Sequence, residues 1–129
     1  MKLHRIVLDT NVLVSALMSK WGNPAKIYRM FLSETVLIVF SDEIMDEYID
    51  VLHRPHLKLS SDDVNKVINA IKLFGECIEP VPSTFPMIDE DDRIFYDVAN
   101  SAGAYLITGN KRHYPDEPFI FTPADFLDL

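Results

Sequence analysis

The chain has 129 residues, 48% of them hydrophobic and 25% charged, the composition of one folded domain able to bury about two-thirds of its surface. Twenty acidic against 12 basic residues give a net charge of −8, the wrong sign for a module that grips nucleic acid through a basic surface. A lone cysteine, Cys77, excludes an internal disulfide, no apolar run approaches the ~20 residues of a membrane span, and no leader pattern precedes Leu3; a single domain over residues 1–129 in a reducing cytoplasm is expected.

Residues 5–8 (RIVL) are apolar without polar alternation, the pattern of a central strand covered on both faces, and the run stops at Asp9. Thr10 and Asn11 open a helix with Val12, Leu13, Ala16 and Leu17 on one face, broken near Gly22-Asn23-Pro24. A second helix is predicted over residues 24–32 and a second buried strand over 36–40 (VLIVF). Ser41 then caps a helix running to about Leu52, which Arg54-Pro55 ends. Ser60 and Ser61 begin a helix with Val64, Val67, Ile68 and Ile71 inward, and Gly75 closes it. After a proline-rich connector over residues 80–86, helical spacing of Ile94, Phe95, Val98, Ala99 and Ala102 marks residues 91–102, with Asp91 as the expected cap. Strands at 104–108 and 119–121 and a terminal helix from Pro123 complete the order. Alternating strands and helices predict a three-layer α/β/α sandwich around a mainly parallel sheet.

Ligands of such sheets bind beyond the carboxyl ends of the strands. Asp9 ends the first strand, the segment 41–47 follows the second, and Thr108-Gly109-Asn110 follows a late one, so these segments should meet at one rim. On the helix after Ser41, Glu47 lies on the flank of the apolar face beside Val51, whereas Asp42 and Glu43 read as acids complementing the helix N-terminus. In the run Asp89-Glu90-Asp91-Asp92, Asp92 can turn toward the sheet while its neighbours face water; Asp97 reads as surface. Asp9, Glu47 and Asp92 are hard oxygen donors from three separated elements, which selects Mg²⁺ or Mn²⁺ and metal-assisted phosphodiester hydrolysis. His53 and His56 straddle a helix-breaking proline and read as a surface loop, and Cys77 reads as a buried inert thiol. Trp21 is a candidate for base stacking or an interface.

Three stretches, residues 8–17 (LDTNVLVSAL), 41–52 (SDEIMDEYIDVL) and 91–115 (DDRIFYDVANSAGAYLITGNKRHYP), together with the closing PADFL, resemble the PIN domain in its small stand-alone prokaryotic form related to VapC toxins. The resemblance implies a PIN-like sheet, a metal-dependent ribonuclease acting on RNA, a tendency to dimerise, and an antitoxin protein as partner. It places Asp9, Glu47 and Asp92 on the family's first three acids and Thr108 on its late-strand threonine. The fourth acidic position falls on Asn110, which implies a metal site short of one anion. Thr10, Asn11, Thr108 and Lys111 are the expected substrate-contacting or site-shaping neighbours. Two alternatives stand beside this reading: a PIN scaffold that binds RNA or protein without cleaving, and a receiver-type phosphoacceptor domain. The second would need an aspartate ending a middle strand, where this chain has Ser41.

Overall fold

A computed structural model describes residues 3–129 and builds them on one five-stranded sheet of order β3-β2-β1-β4-β5. β1 (His4–Leu8) lies at its centre, paired in parallel with β2 (Val36–Phe40) through His4↔Val36 and Ile6↔Ile38, and with β4 (Tyr105–Ile107) through Ile6↔Tyr105 and Leu8↔Ile107. Its Ile6, Val7 and Leu8 are buried on both faces, as are Ile38 and Val39 of β2 and Leu106 and Ile107 of β4. Continuous β-branched runs of this kind have no solvent face to offer, which forces them inside a parallel sheet. Burying each such side chain contributes about 1.5–3 kcal/mol.

The outer strands are shorter. β5 (Ile120–Phe121) pairs with β4, and β3 (Glu76–Cys77) pairs with β2 through Val39↔Glu76. All pairings are parallel, so the sheet is wholly rather than mainly parallel. β3 was invisible to hydropathy patterning because two residues, one of them charged, carry no period. The two late strands are each trimmed at their ends relative to the apolar runs that announce them.

Helices α1 (Thr10–Met18), α2 (Asn23–Leu32), α3 (Asp42–Leu52), α4 (Ser61–Phe74), α5 (Arg93–Ala102) and α6 (Pro123–Leu127) fill the layers. α5 packs across β1, β2 and β4, α2 packs on β2 and α6, and α3 packs against α1, α4 and α5. Ser41, Ser60 and Thr122 cap α3, α4 and α6 by accepting the N–H three residues on. Gly75 does follow α4, but its backbone is extended rather than left-handed. It is needed for space: a Cβ there would stand 2.5 Å from the Ile71 carbonyl and 2.8 Å from that of Ile38, where α4 crosses onto β2. Gly103, by contrast, does adopt φ 64° and turns α5 into β4.

Two expectations about the acidic run and α5 are corrected. Residues Glu90–Asp92 form a 3₁₀ turn capped by Asp89, which accepts the Asp91 N–H at 3.0 Å, so α5 starts at Arg93 and Asp91 is not the cap. Asp97 is not on the surface but 7% exposed, accepting the Ser83 N–H at 3.2 Å. The proline-rich connector lies along the outer side of α5 and is fastened there. Ser101 Oγ accepts the Val81 N–H, and the Arg93 guanidinium donates to Ser83 and to the Phe85 carbonyl. Helical periodicity cannot see a loop that covers a helix from outside.

Candidate metal centre

Asp9 occupies the point where the central strand gives way to α1, 6% exposed. Each oxygen has a fixed partner: Oδ1 accepts the Val12 N–H at 3.1 Å, capping α1, and Oδ2 accepts the Thr108 hydroxyl at 2.5 Å. Thr108 Oγ1 in turn accepts the Asn110 N–H at 3.0 Å, and the Asp9 N–H donates to the Ile107 carbonyl. The capping role and the rim position are therefore one arrangement, because the N-terminus of α1 starts at the carboxyl end of β1. Burial raises the Asp9 carboxyl above its ordinary range; the hydrogen bonds of Thr108, Val12 and Asn11 oppose this, and the Glu47 charge adds to it.

Glu47 projects from α3 and accepts the hydroxyl of Thr10, which is buried at the start of α1. Below them, Tyr48 is fully buried and donates its hydroxyl to the Leu8 carbonyl at 2.5 Å. Asp92, at the end of the 3₁₀ turn, is pushed up to about 6, chiefly by burial, then by the charges of Asp89 and Asp9; His113 opposes and Glu47 adds. His113 Nδ1 stands 3.8 Å from Asp92 Oδ2.

These acids open into one cavity of about 240 Å³ lined by Asp9, Thr10, Asn11, Glu47, Val51, Arg54, Asp91, Asp92 and Phe95. The sequence reading brought Asp9, Thr10, Asn11, Glu47 and Asp92 here; it took Arg54 only as a helix terminator. Helical spacing could not have found it, since α3 ends at Leu52 and Arg54 reaches the cavity from the extended backbone beyond. Thr108 lies beneath Asp9 rather than on the cavity wall. Asn110 and Lys111 are exposed and do not line it, although Asn110 heads the 3₁₀ turn Lys111–His113 that brings His113 to Asp92.

Among the described residues no three His, Cys, Asp or Glu side chains are close enough to form a ready ligand cage. The carboxylates face one space but stand apart, as uncompensated like charges do. The donor set nevertheless fits a hard divalent cation: among the described residues the wall carries four carboxylates, those of Asp9, Glu47, Asp91 and Asp92, no sulfur or imidazole, and Arg54 as its one cation, already paired with Asp50 at 3.1 Å. Other candidates lie elsewhere. His53 and His56 are exposed, the first with Nδ1 against the Ile49 carbonyl. Trp21 is 86% exposed and outside the cavity. Cys77 is exposed rather than buried; burial of its surroundings and Asp42, to which the thiol donates, raise its pKa and keep it protonated.

Comparison with known proteins agrees with this geometry. The PIN domain family matches residues 5–112. Uncharacterized protein MJ1680 of Methanocaldococcus jannaschii is 31% identical over 110 residues, spanning 83% of this chain and 71% of that protein. The chain belongs to the PIN domain family, a nuclease-type family, and has its α/β/α fold; the receiver-type alternative falls with that membership. Among the described residues no helix is long and apolar enough to cross a membrane.

Proposed function

We propose that this PIN domain is a metal-dependent endoribonuclease that hydrolyses RNA phosphodiester bonds with Mg²⁺ or Mn²⁺ held by Asp9, Glu47 and Asp92. The observation that carries the reading is the meeting of these three acids, from the end of β1, α3 and the turn before α5, around one cavity whose one cation among the described residues is engaged elsewhere. When bound, the ion supplies positive charge against a phosphate and lowers the pKa of water.

The remaining work falls to the chain. Thr108 and the α1 backbone fix the Asp9 carboxyl in place and oppose the rise that burial imposes on it, and Thr10 orients Glu47. Arg54, half-exposed at the cavity wall, can exchange Asp50 for a substrate phosphate, with Lys111 and Arg112 offering exposed charge beside the turn that reaches Asp92. Asn110 stands where the family resemblance implies an acid, and its amide lies off the cavity wall, so we read the site as holding one ion firmly. Asn11 shapes the mouth of the cavity.

The test is cleavage of RNA in Mn²⁺, Mg²⁺ or chelator by the wild type and by Asp9→Asn. Activity should require the ion and vanish in the variant. Cleavage that persists in chelator, or an Asp9→Asn protein as active as wild type, would sink the reading.

For partners we propose a second copy of the chain and an antitoxin protein. The support is the resemblance to VapC-type chains and the exposed Leu32 of α2 and Leu73 and Phe74 of α4, apolar surface that a monomer leaves in water. Growth arrest on expression, absent for Asp9→Asn, together with a dimeric mass by light scattering, is expected. A monomer whose expression is harmless would remove both partners.

A further inference from the structure

The cavity carboxylates are not equally supported. Asp9 accepts hydrogen bonds from Val12 and Thr108, and Glu47 accepts one from Thr10. Asp92 ends its turn without a side-chain capping bond, and its nearest cationic group, His113 Nδ1, is 3.8 Å away, too far for a hydrogen bond. Carboxylates that bind metal ions are ordinarily fixed by such bonds, so one support is missing.

The neighbouring residue supplies an unused donor. Tyr114 follows His113 and is 6% exposed, and its hydroxyl is the one buried side-chain polar atom with no partner among the described residues. Its ring accounts for the packing, and phenylalanine would fill the same volume; the oxygen is what needs explaining. The charged groups that act on that hydroxyl are Asp9, Asp92 and Glu47, the carboxylates of the cavity. Burial together with those charges keeps it protonated, hence a donor at any working pH.

We propose that Tyr114 is a positioning residue of the carboxylate site, its hydroxyl unpartnered in the free protein and donating its one hydrogen bond to the Asp92 carboxylate when a divalent cation draws the acids together. A neutral donor suits this place. It orients the anion without adding the charge that a lysine or arginine would set against the ion. The inference rests on the metal-dependent reading above, and it predicts that Tyr114 favours the loaded state at the expense of the empty one.

The experiment is calorimetric titration of Mn²⁺ alone into the full chain and its Tyr114→Phe variant, with thermal unfolding of both in chelator. Tyr48→Phe serves as the control, because that hydroxyl already has a partner in the Leu8 carbonyl. Tyr114→Phe should bind Mn²⁺ about tenfold more weakly while melting no lower than wild type without metal; Tyr48→Phe should melt lower. Unchanged Mn²⁺ affinity in Tyr114→Phe overturns the proposal. So does a lower melting temperature of that variant in chelator, which would show the hydroxyl already bonded in the free fold. A wild type that takes up no Mn²⁺ defeats the metal reading itself, and this inference with it; that result comes from the wild-type titration and is distinct from the other two.

Discussion

Replacing Asp92 by asparagine should stabilise the metal-free protein at neutral pH and leave it unchanged in acid. Asp92 is held at about 6 instead of the ordinary 3.8, mainly by burial, with Asp89 and Asp9 next. An acid whose folded value is raised keeps its proton in the folded state where the unfolded chain has lost it. Stability from this group is therefore full below about pH 4 and declines as pH rises through about 6. The whole displacement corresponds to about 3 kcal/mol, but the side chain is partly exposed and solvent screens the charges it meets, so we expect about 1–2 kcal/mol. For a domain of this size that is a rise of about 5 °C in melting temperature. Thermal unfolding in chelator, followed by circular dichroism from about pH 4 to about pH 7.5, gives the comparison. The two proteins should melt together at the acid end and diverge above about pH 5. Added Mn²⁺ should reverse their order, since the ion stabilises the form that binds it. A variant that gains nothing at neutral pH, or gains equally in acid, would refute the argument that Asp92 is strained by burial and by its acidic neighbours.

Thr108→Val should lower stability by about 1–3 kcal/mol, because it takes from buried Asp9 a donor and from the Asn110 N–H an acceptor; urea unfolding measures it. Asn110→Asp should tighten Mn²⁺ binding by adding a carboxylate; calorimetry that finds the same affinity would mean the side chain faces away from the ion. Gly75→Ala should destabilise by about 1–3 kcal/mol, as its methyl meets two backbone oxygens that cannot step aside; an unshifted melting temperature would show that α4 slides freely over β2.

The parts of this molecule legible in its sequence are those with a period or a stop. β1 and β2 are unbroken apolar runs ended by Asp9 and Ser41, and a parallel sheet necessarily carries both stops to one rim, which sets Asp9 beside the helix that bears Glu47, while the phase of the later helical pattern turns Asp92 toward them. What stayed hidden depends on contact between distant segments. Asp97 has the helical phase of a surface residue, and only the connector lying over α5 makes it buried. Cys77 has the composition of a core residue but sits on a two-residue edge strand. Tyr114 follows a basic turn with no apolar pattern around it, so its burial had no local signal.

Arg93 opens α5 directly after Asp92 and holds the connector with the same guanidinium that grips Glu90 at 2.7 Å and stacks over Phe85. A loop of this composition would ordinarily be the place where insertions are absorbed without harm. Here its length is set by fastenings on Val81, Ser83 and Phe85, whose partners Ser101, Asp97 and Arg93 all lie on α5, the last of them next to a cavity carboxylate. An added or deleted residue between Val81 and Phe85 would pull on Arg93 and turn Asp92 in its seat. Length variation among relatives should therefore collect in other loops, such as the turn between α1 and α2 around Trp21, where the chain is exposed and no such tether reaches the acids.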